Sequence, residues 1–354
     1  MKRLEGIDLL RHLCLTFGPT GCEEKVAEAI LGQIEGYYDS YWRDSLGNLV
    51  AVVSSGRPGA GKIMLSSHMD EVGFMVREID DKGYIKFVNL GGIDPRVLCG
   101  RHVTLGDEDR RVSGVIASKA IHHQKPDERL VSTPIDKMYI DIGATSREEA
   151  EQYVSVGDFG TFDSDFEIFG EGGRLMKGKA IDDRLGCTVM IEVMRAIKDR
   201  KIRPSHDLYF AFTVREEVGL SGAEVTANRI APDFAIVLES TAIADIADVA
   251  PRSRVAEVGE GGVISLLDRS TIYDRAFVDF AMETAEREGI PAQIKRYVSG
   301  GNDAGHIHKS GKGVRALAIS AATRYLHSAS CVAAVGDFES IRALVLALVA
   351  DWRL

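Results

Sequence analysis

Apolar positions along the chain change their period more than once. Residues 1–35 repeat at helical spacing and predict two helices. In the second, Val26, Ile30 and Ile34 share one face, and Thr20 with Glu23 three residues on reads as a capping box at its start. Between 39 and 69 the period shortens to that of strands. Apolar runs at 49–53 and 63–65 flank a Gly/Pro-rich stretch, 56–62, that reads as a hairpin turn. The same stretch nearly matches a phosphate-binding loop. It fails because Ile63 stands where Ser or Thr must hold Mg²⁺, and a strand follows where a helix is required.

From about 73 to 163 the segments are short, strand-like and split by glycine pairs, as at 84–88, 112–116 and 138–142. One short acidic stretch at 147–152 is helical in pattern. After 165, helices and strands alternate. The pattern predicts a helix at 183–200, a strand at 207–214, a connecting segment and a strand at 234–238. A helix at 273–288, strands at 293–298 and 314–320 and a C-terminal helix from about 338 follow. This alternation predicts an α/β fold with a mixed central sheet flanked by helices. The segments before 73 suit the same layer. The expected organisation is therefore one discontinuous α/β domain, 1–72 plus 164–354, interrupted by a β-rich insert at 73–163.

Composition narrows the class. The chain has 354 residues, 45% hydrophobic and 27% charged, as expected of an ordinary globular protein. Lys plus Arg is 43 against 53 for Asp plus Glu, a net charge of −10. That acidity argues against nucleic acid and anionic membrane surfaces as partners. The terminal apolar run at 343–350 is far shorter than the ~20 residues of a membrane span, and acidic residues interrupt the N-terminus where an export signal needs an apolar core. Cys14, Cys22, Cys99, Cys187 and Cys331 are scattered, odd in number and never in a Cys-x-x-Cys pair. They fit reduced thiols in a cytoplasmic protein.

Five segments place metal-ligand residue types at or near the ends of apolar strands. A strand running into His68-x-Asp70 delivers both side chains at its carboxyl end, where open α/β sheets place their ligand sites. His68 can bind a metal through one ring nitrogen while Asp70 holds the other. Asp182 and Asp183 open a helix; plain capping accounts for them, yet Asp183 can serve the helix while Asp182 faces a metal. Glu216 and Glu217 end a strand before a glycine turn, and adjacent residues point different ways, so one can ligate while the other handles protons. Glu239 and His327 complete the set; taken singly, an ordinary polar strand end explains each. Together they offer two imidazoles, three carboxylates and a spare glutamate. That donor set suits Zn²⁺, Mn²⁺ or Co²⁺, and a metal pair about 3.5–4 Å apart. His122 and His123 lie in the insert, and His306 and His308 follow a glycine-rich loop, 300–305, that reads as site wall.

These segments, in this order, resemble the glutamyl/deblocking aminopeptidase family of dinuclear metallopeptidases, which includes the tetrahedral aminopeptidases. The likeness covers nearly the whole chain. It rests on Ser67–Phe74, Leu90–Pro95, Gly178–Gly186, Arg215–Gly219, Gly300–Gly305 and Arg324–Ser328. The resemblance implies a zinc-peptidase-like catalytic domain with a small β-barrel-like dimerisation insert, and two divalent ions per subunit. Zinc is the first choice of metal, with cobalt or manganese as alternatives. His68 and Glu239 would hold one ion, Glu217 and His327 the other, with Asp182 bridging. Glu216 would be the general base and acid, and Asp70 would orient His68. Peptides would be the substrates, and dimers would assemble into a homo-oligomer, often a hollow dodecamer. Three positions depart from the family pattern: Glu239 where Asp is more usual, Asn302 for Thr, and His306 for a small residue.

Three other functions compete. A deacylase of N-acyl amino acids would prefer blocked amines. A glycosidase would use Glu216 with a second carboxylate and be indifferent to chelators. An inactive oligomeric scaffold would have lost a ligand or the base, whereas all six positions are filled here.

Overall fold

The computed structural model describes residues 2–106 and 110–354. It begins with α1 (Gly6–Leu15), α2 (Glu24–Ile34), β1 (Ser40–Arg43), β2 (Leu49–Val53) and β3 (Lys62–His68). There follow β4 (Gly73–Ile79), β5 (Ile85–Leu90), β6 (His102–Leu105), β7 (Val112–Ala117), β8 (Tyr139–Asp141), α3 (Arg147–Ala150) and β9 (Phe159–Phe162). The chain continues through β10 (Glu167–Phe169), β11 (Leu175–Gly178), α4 (Ile181–Asp199), β12 (Asp207–Thr213), α5 (Ser221–Ile230) and β13 (Phe234–Ala242). It ends with β14 (Gly262–Ile264), α6 (Arg275–Glu288), β15 (Ala292–Ile294), α7 (Ala304–Ile307), β16 (Arg315–Thr323), β17 (Cys331–Ala334) and α8 (Val335–Ala350).

Strands β3, β13 and β16 are buried along almost their whole length. Near-continuous apolar strands of this kind belong at the centre of a sheet with both faces covered. They lie there: the eight-stranded sheet has the order β1-β2-β12-β3-β13-β16-β14-β15. The run β12-β3-β13-β16 is parallel, while β2 and β14 join its flanks antiparallel. Helix α4, buried along nearly all its length, packs against β3 and β13 on one side and α1 and α8 on the other. The four parallel strands consequently open their carboxyl ends on one edge, and the site is built there.

Strands β4 to β9 close into an antiparallel barrel of order β4-β5-β8-β7-β6-β9. It has a core separate from that of the sheet, in which Phe74 meets Phe87 and Phe162 edge to face at 5.3 and 5.1 Å. A third sheet, β10-β11-β17, lies beside the C-terminal helix. No helix among the described residues is long and apolar enough to cross a membrane.

Three local expectations are corrected. Strands β2 and β3 do not form a hairpin, because β12 inserts between them and pairs with both. The Gly/Pro stretch is a wide connection whose strands find a partner from a distant part of the chain. Thr20 does not cap α2: its hydroxyl donates to Asp70 Oδ2 at 2.8 Å, and Glu23 instead receives the Gly21 N–H at 2.8 Å. The connecting segment after β12 contains the ten-residue helix α5. Its Gly, Ser, Thr and Asn residues obscure the helical period, and packing against β12 and α7 supplies what local propensity lacks.

Candidate metal centre

The first histidine stands at the end of β3. His68 Nδ1 donates to the backbone carbonyl of Asp70 at 3.0 Å, with the Asp70 carboxylate farther away at 3.4 Å. Orientation by the Asp70 side chain was expected; the closer partner is its main chain. This bond fixes the tautomer and turns Nε2 outward, 3.3 Å from Asp182 Oδ1 and 3.7 Å from Glu239 Oε2. The second histidine follows β16. His327 Nδ1 donates to the Gly92 carbonyl at 2.8 Å, and its Nε2 lies 3.4 Å from Asp182 Oδ2 and 3.3 Å from Glu217 Oε1. Gly92 lies beyond β5, so the barrel-bearing segment orients this imidazole.

Asp182 thus presents one oxygen to each histidine. It can do so because Asp182 and Asp183 abandon helical dihedrals at the start of α4, with ψ of 110° and 43°. Asp183 turns the other way. Its Oδ1 accepts the Gly186 N–H at 3.0 Å and its Oδ2 the Ser67 hydroxyl at 2.5 Å. Its ligand atom falls with those of His68 and Glu239 within 4.8 Å, as those of Asp182, Glu217 and His327 do in a second group. Both Asp183 oxygens are already hydrogen-bonded, whereas Asp182 Oδ1 and Glu239 Oε1 are buried without a hydrogen-bond partner.

Burial and crowding of like charge push the carboxylates of Glu216 and Glu239 well above their usual range, and that of Glu217 up to about 7. Asp182 goes the other way: burial opposes ionisation, but the His327 and His68 imidazoles beside it hold it below the carboxylate range. Burial alone would lower the two imidazoles, yet the surrounding carboxylates raise both, His327 to about 9. A site that strains to hold protons on carboxylates, with buried carboxylate oxygens beside imidazole nitrogens, has donor chemistry suited to divalent cations. The residues fit such ions.

Glu216 and Glu217 are held from behind. The Glu216 N–H donates to Asp70 Oδ1 at 3.1 Å and the Glu217 N–H to Asp70 Oδ2 at 3.2 Å. Left-handed backbone recurs around the centre at Ala180, Arg215, Tyr325 and His327, with φ of 55°, 58°, 58° and 57°. Non-glycine residues pay roughly 1–2 kcal/mol for this conformation, and such strain concentrates where side chains must be aimed. Asp303, in the glycine-rich loop, accepts the Thr213 hydroxyl at 2.7 Å through Oδ2 and leaves Oδ1 without a partner. Sequence reasoning took that loop as wall and passed over Asp303. His306 binds Glu224 at 2.7 Å and His308 the Ala304 carbonyl at 2.7 Å. Neither they nor the exposed His122 and His123 join a ligand group among the described residues.

A parallel-centred α/β sheet that gathers two histidines and a cluster of acidic side chains, groups that could hold metal, defines a hydrolase of the peptidase class. The M42 glutamyl aminopeptidase family profile matches residues 47–344, and the chain belongs to that family. A candidate aminopeptidase of Acetivibrio thermocellus is 38% identical over 352 residues, 98% of this chain and 100% of that one. The solved TET aminopeptidase of a marine sediment Thaumarchaeota archaeon superposes with a TM-score of 0.94 at 36% identity, covering 98% and 96% of the two chains. The Pyrococcus horikoshii TET1 peptidase, which can assemble into a tetrahedron or a large octahedral shell, gives 0.85 at 33% identity over 98% and 99%. The chain is an aminopeptidase that hydrolyses peptides.

Proposed function

We propose that this aminopeptidase works through two divalent cations, zinc first, with cobalt or manganese as alternatives. His68 and Glu239 would hold one, Glu217 and His327 the other, and Asp182 both. Bound there, such ions lower the pKa of water and polarise a scissile carbonyl. Glu216 is the proton carrier: it takes the proton of the attacking water and delivers it to the departing amine. Its raised pKa suits a carboxylate that must hold a proton and release it within one cycle. Asp70 keeps Glu216 and Glu217 apart in role by fixing their successive N–H groups. The carboxylate-rich centre favours a substrate with a free α-amino group, which limits cleavage to the first residue.

The observation that carries this reading is Asp182, whose two oxygens lie 3.3 and 3.4 Å from the two Nε2 atoms. We further propose that catalysis belongs to 1–72 and 164–354, and that the insert at 73–163 makes contacts between copies. Dimers would then build a dodecamer. The five cysteines, none of them in a disulfide among the described residues, suit a reducing cytoplasm.

The test is a panel of aminoacyl-p-nitroanilides, with N-acetylated counterparts, assayed with and without chelator. Glu216→Gln should lose all but a trace of turnover while metal content stays at the wild-type value. Chelator should silence the wild type, and added zinc, cobalt or manganese should restore it. Full activity in Glu216→Gln would sink the assignment of the base.

A further inference from the structure

Four consecutive backbone N–H groups lead into the turn that carries Glu216 and Glu217. Side chains from three other parts of the chain hold all four. The Val214 N–H donates to Asn48 Oδ1 at 2.9 Å and the Arg215 N–H to Glu23 Oε1 at 3.2 Å. Asp70 takes the next two through its separate oxygens. All three acceptors are buried, and each is itself tied down. Thr20 donates to Asp70, Gly21 N–H to Glu23 at 2.8 Å, and Asn48 Nδ2 donates to Asp44 Oδ2 at 2.7 Å.

Ordinary secondary structure does not require this arrangement. Strand β12 has ended at Thr213, and α5 does not begin until Ser221. Arg215, directly before Glu216, is one of the left-handed residues, and without its acceptor it gains by relaxing to negative φ. A rotation at Arg215 swings the residue that follows it. Displacing a reacting group by about 1 Å can cost on the order of 100-fold in rate. Glu23 and Thr20 also lie before the segment matched by the family profile, which starts at 47.

We propose that Glu23 is a positioning residue for the peptidase reaction: through the Arg215 N–H it sets where the Glu216 carboxylate stands. The turn between α1 and α2 is thereby part of the catalytic apparatus. This rests on Glu216 as proton carrier. Glu23 needs an acceptor oxygen for the role, not a charge, so glutamine should replace it and alanine should not.

The experiment compares Glu23→Ala, Glu23→Gln, Glu216→Gln and the double variant Glu23→Ala/Glu216→Gln in the metal-loaded protein. Steady-state kinetics, metal content and thermal midpoint are recorded for each. Glu23→Ala should lower kcat about 10- to 100-fold with KM within about threefold and metal content unchanged. Glu23→Gln should keep kcat within about threefold of wild type. The double variant should be no slower than Glu216→Gln alone, because Glu23 acts through a group already removed. Three results would overturn the proposal: wild-type kcat in Glu23→Ala, a loss in Glu23→Gln as large as in Glu23→Ala, or a further fall in the double variant. Loss of bound metal in step with kcat would also overturn it, assigning Glu23 to scaffolding alone. If Glu216→Gln is fully active, the base assignment fails and this proposal with it. If that variant is inactive while Glu23→Ala is unimpaired, only the positioning role fails.

Discussion

Replacing Lys179 with methionine removes one charge from a closed ion cluster. Lys179 Nζ lies 2.6 and 2.8 Å from the two oxygens of Glu71, Thr161 Oγ1 donates to the same carboxylate at 2.8 Å, and an Arg184 nitrogen stands 3.7 Å away. Glu71 is 2% exposed and Lys179 5%, so water cannot replace a missing partner. Thr161 belongs to β9 of the barrel, Glu71 follows β3, and Lys179 leads into Asp182. One carboxylate therefore joins the barrel, the sheet and the approach to the centre. Methionine keeps most of the aliphatic stem, so the change is mainly electrostatic. Breaking a buried pair by removing one partner costs about 3–5 kcal/mol. Arg184 and Thr161 stay near Glu71, which places the expected loss at the lower end, about 3 kcal/mol. A chain of 354 residues unfolds with an entropy of about 0.7 kcal/mol/K, so the thermal midpoint should fall by about 4 °C. Lys179→Met/Glu71→Gln would leave the buried Arg184 without its carboxylate and should be no more stable than Lys179→Met. Calorimetry of metal-free protein at fixed ionic strength measures both. A midpoint within 1 °C of wild type in the single variant would refute the reasoning, taking 1 °C as about a quarter of the expected shift. So would a double variant clearly more stable than Lys179→Met.

Two other predictions concern the centre itself. In metal-free protein at pH 7, His327 carries a proton, since Asp182 and Glu217 outweigh burial and push it up to about 9; a cation must displace that proton. Apparent metal affinity should rise about tenfold per pH unit from this group alone and level off above its pKa; titration calorimetry in buffers of different ionisation heat should show at least one proton released per subunit at pH 7. No release would contradict the charge balance described. Gly186→Ala would put a Cβ 2.4 Å from Asp183 Oδ2 and 2.7 Å from Ser67 Oγ, beside His68 and Asp182. Overpacking of this kind costs about 1–3 kcal/mol, so the midpoint should drop about 1–4 °C, and metal occupancy at limiting zinc should fall with it. An unchanged occupancy would show that Asp183 yields without disturbing Asp182.

The residue types that end apolar strands were readable because the code is local. An apolar run gives a strand, and a polar residue at its carboxyl end can only lie on the edge where α/β sheets gather ligands. His68, Glu216 and Glu217 are of this kind; Glu239 instead lies inside β13, which runs on to Ala242 beside β16. His327 was weaker, since several residues separate it from β16, and only the Gly92 carbonyl shows how it is turned inward. Glu23 and Asn48 were missed as partners of the Arg215 turn. Nothing in Thr20-x-x-Glu23 distinguishes a helix cap from a side chain committed to the centre. A hydroxyl with two acceptors in reach takes the one that the folded chain brings closer, and here that is Asp70.

Sequence alone determined the α/β layering, the β-rich insert and the family resemblance. Each follows from periodicity or from short motifs in which neighbours in sequence are neighbours in space. Tertiary structure alone decided that β12 separates β2 from β3, and that Asp182 turns one oxygen to each histidine while Asp183 turns away. These outcomes depend on pairing between segments more than a hundred residues apart. A hydrogen-bonding edge or a carboxylate oxygen carries no mark in the sequence of the distant partner it will meet.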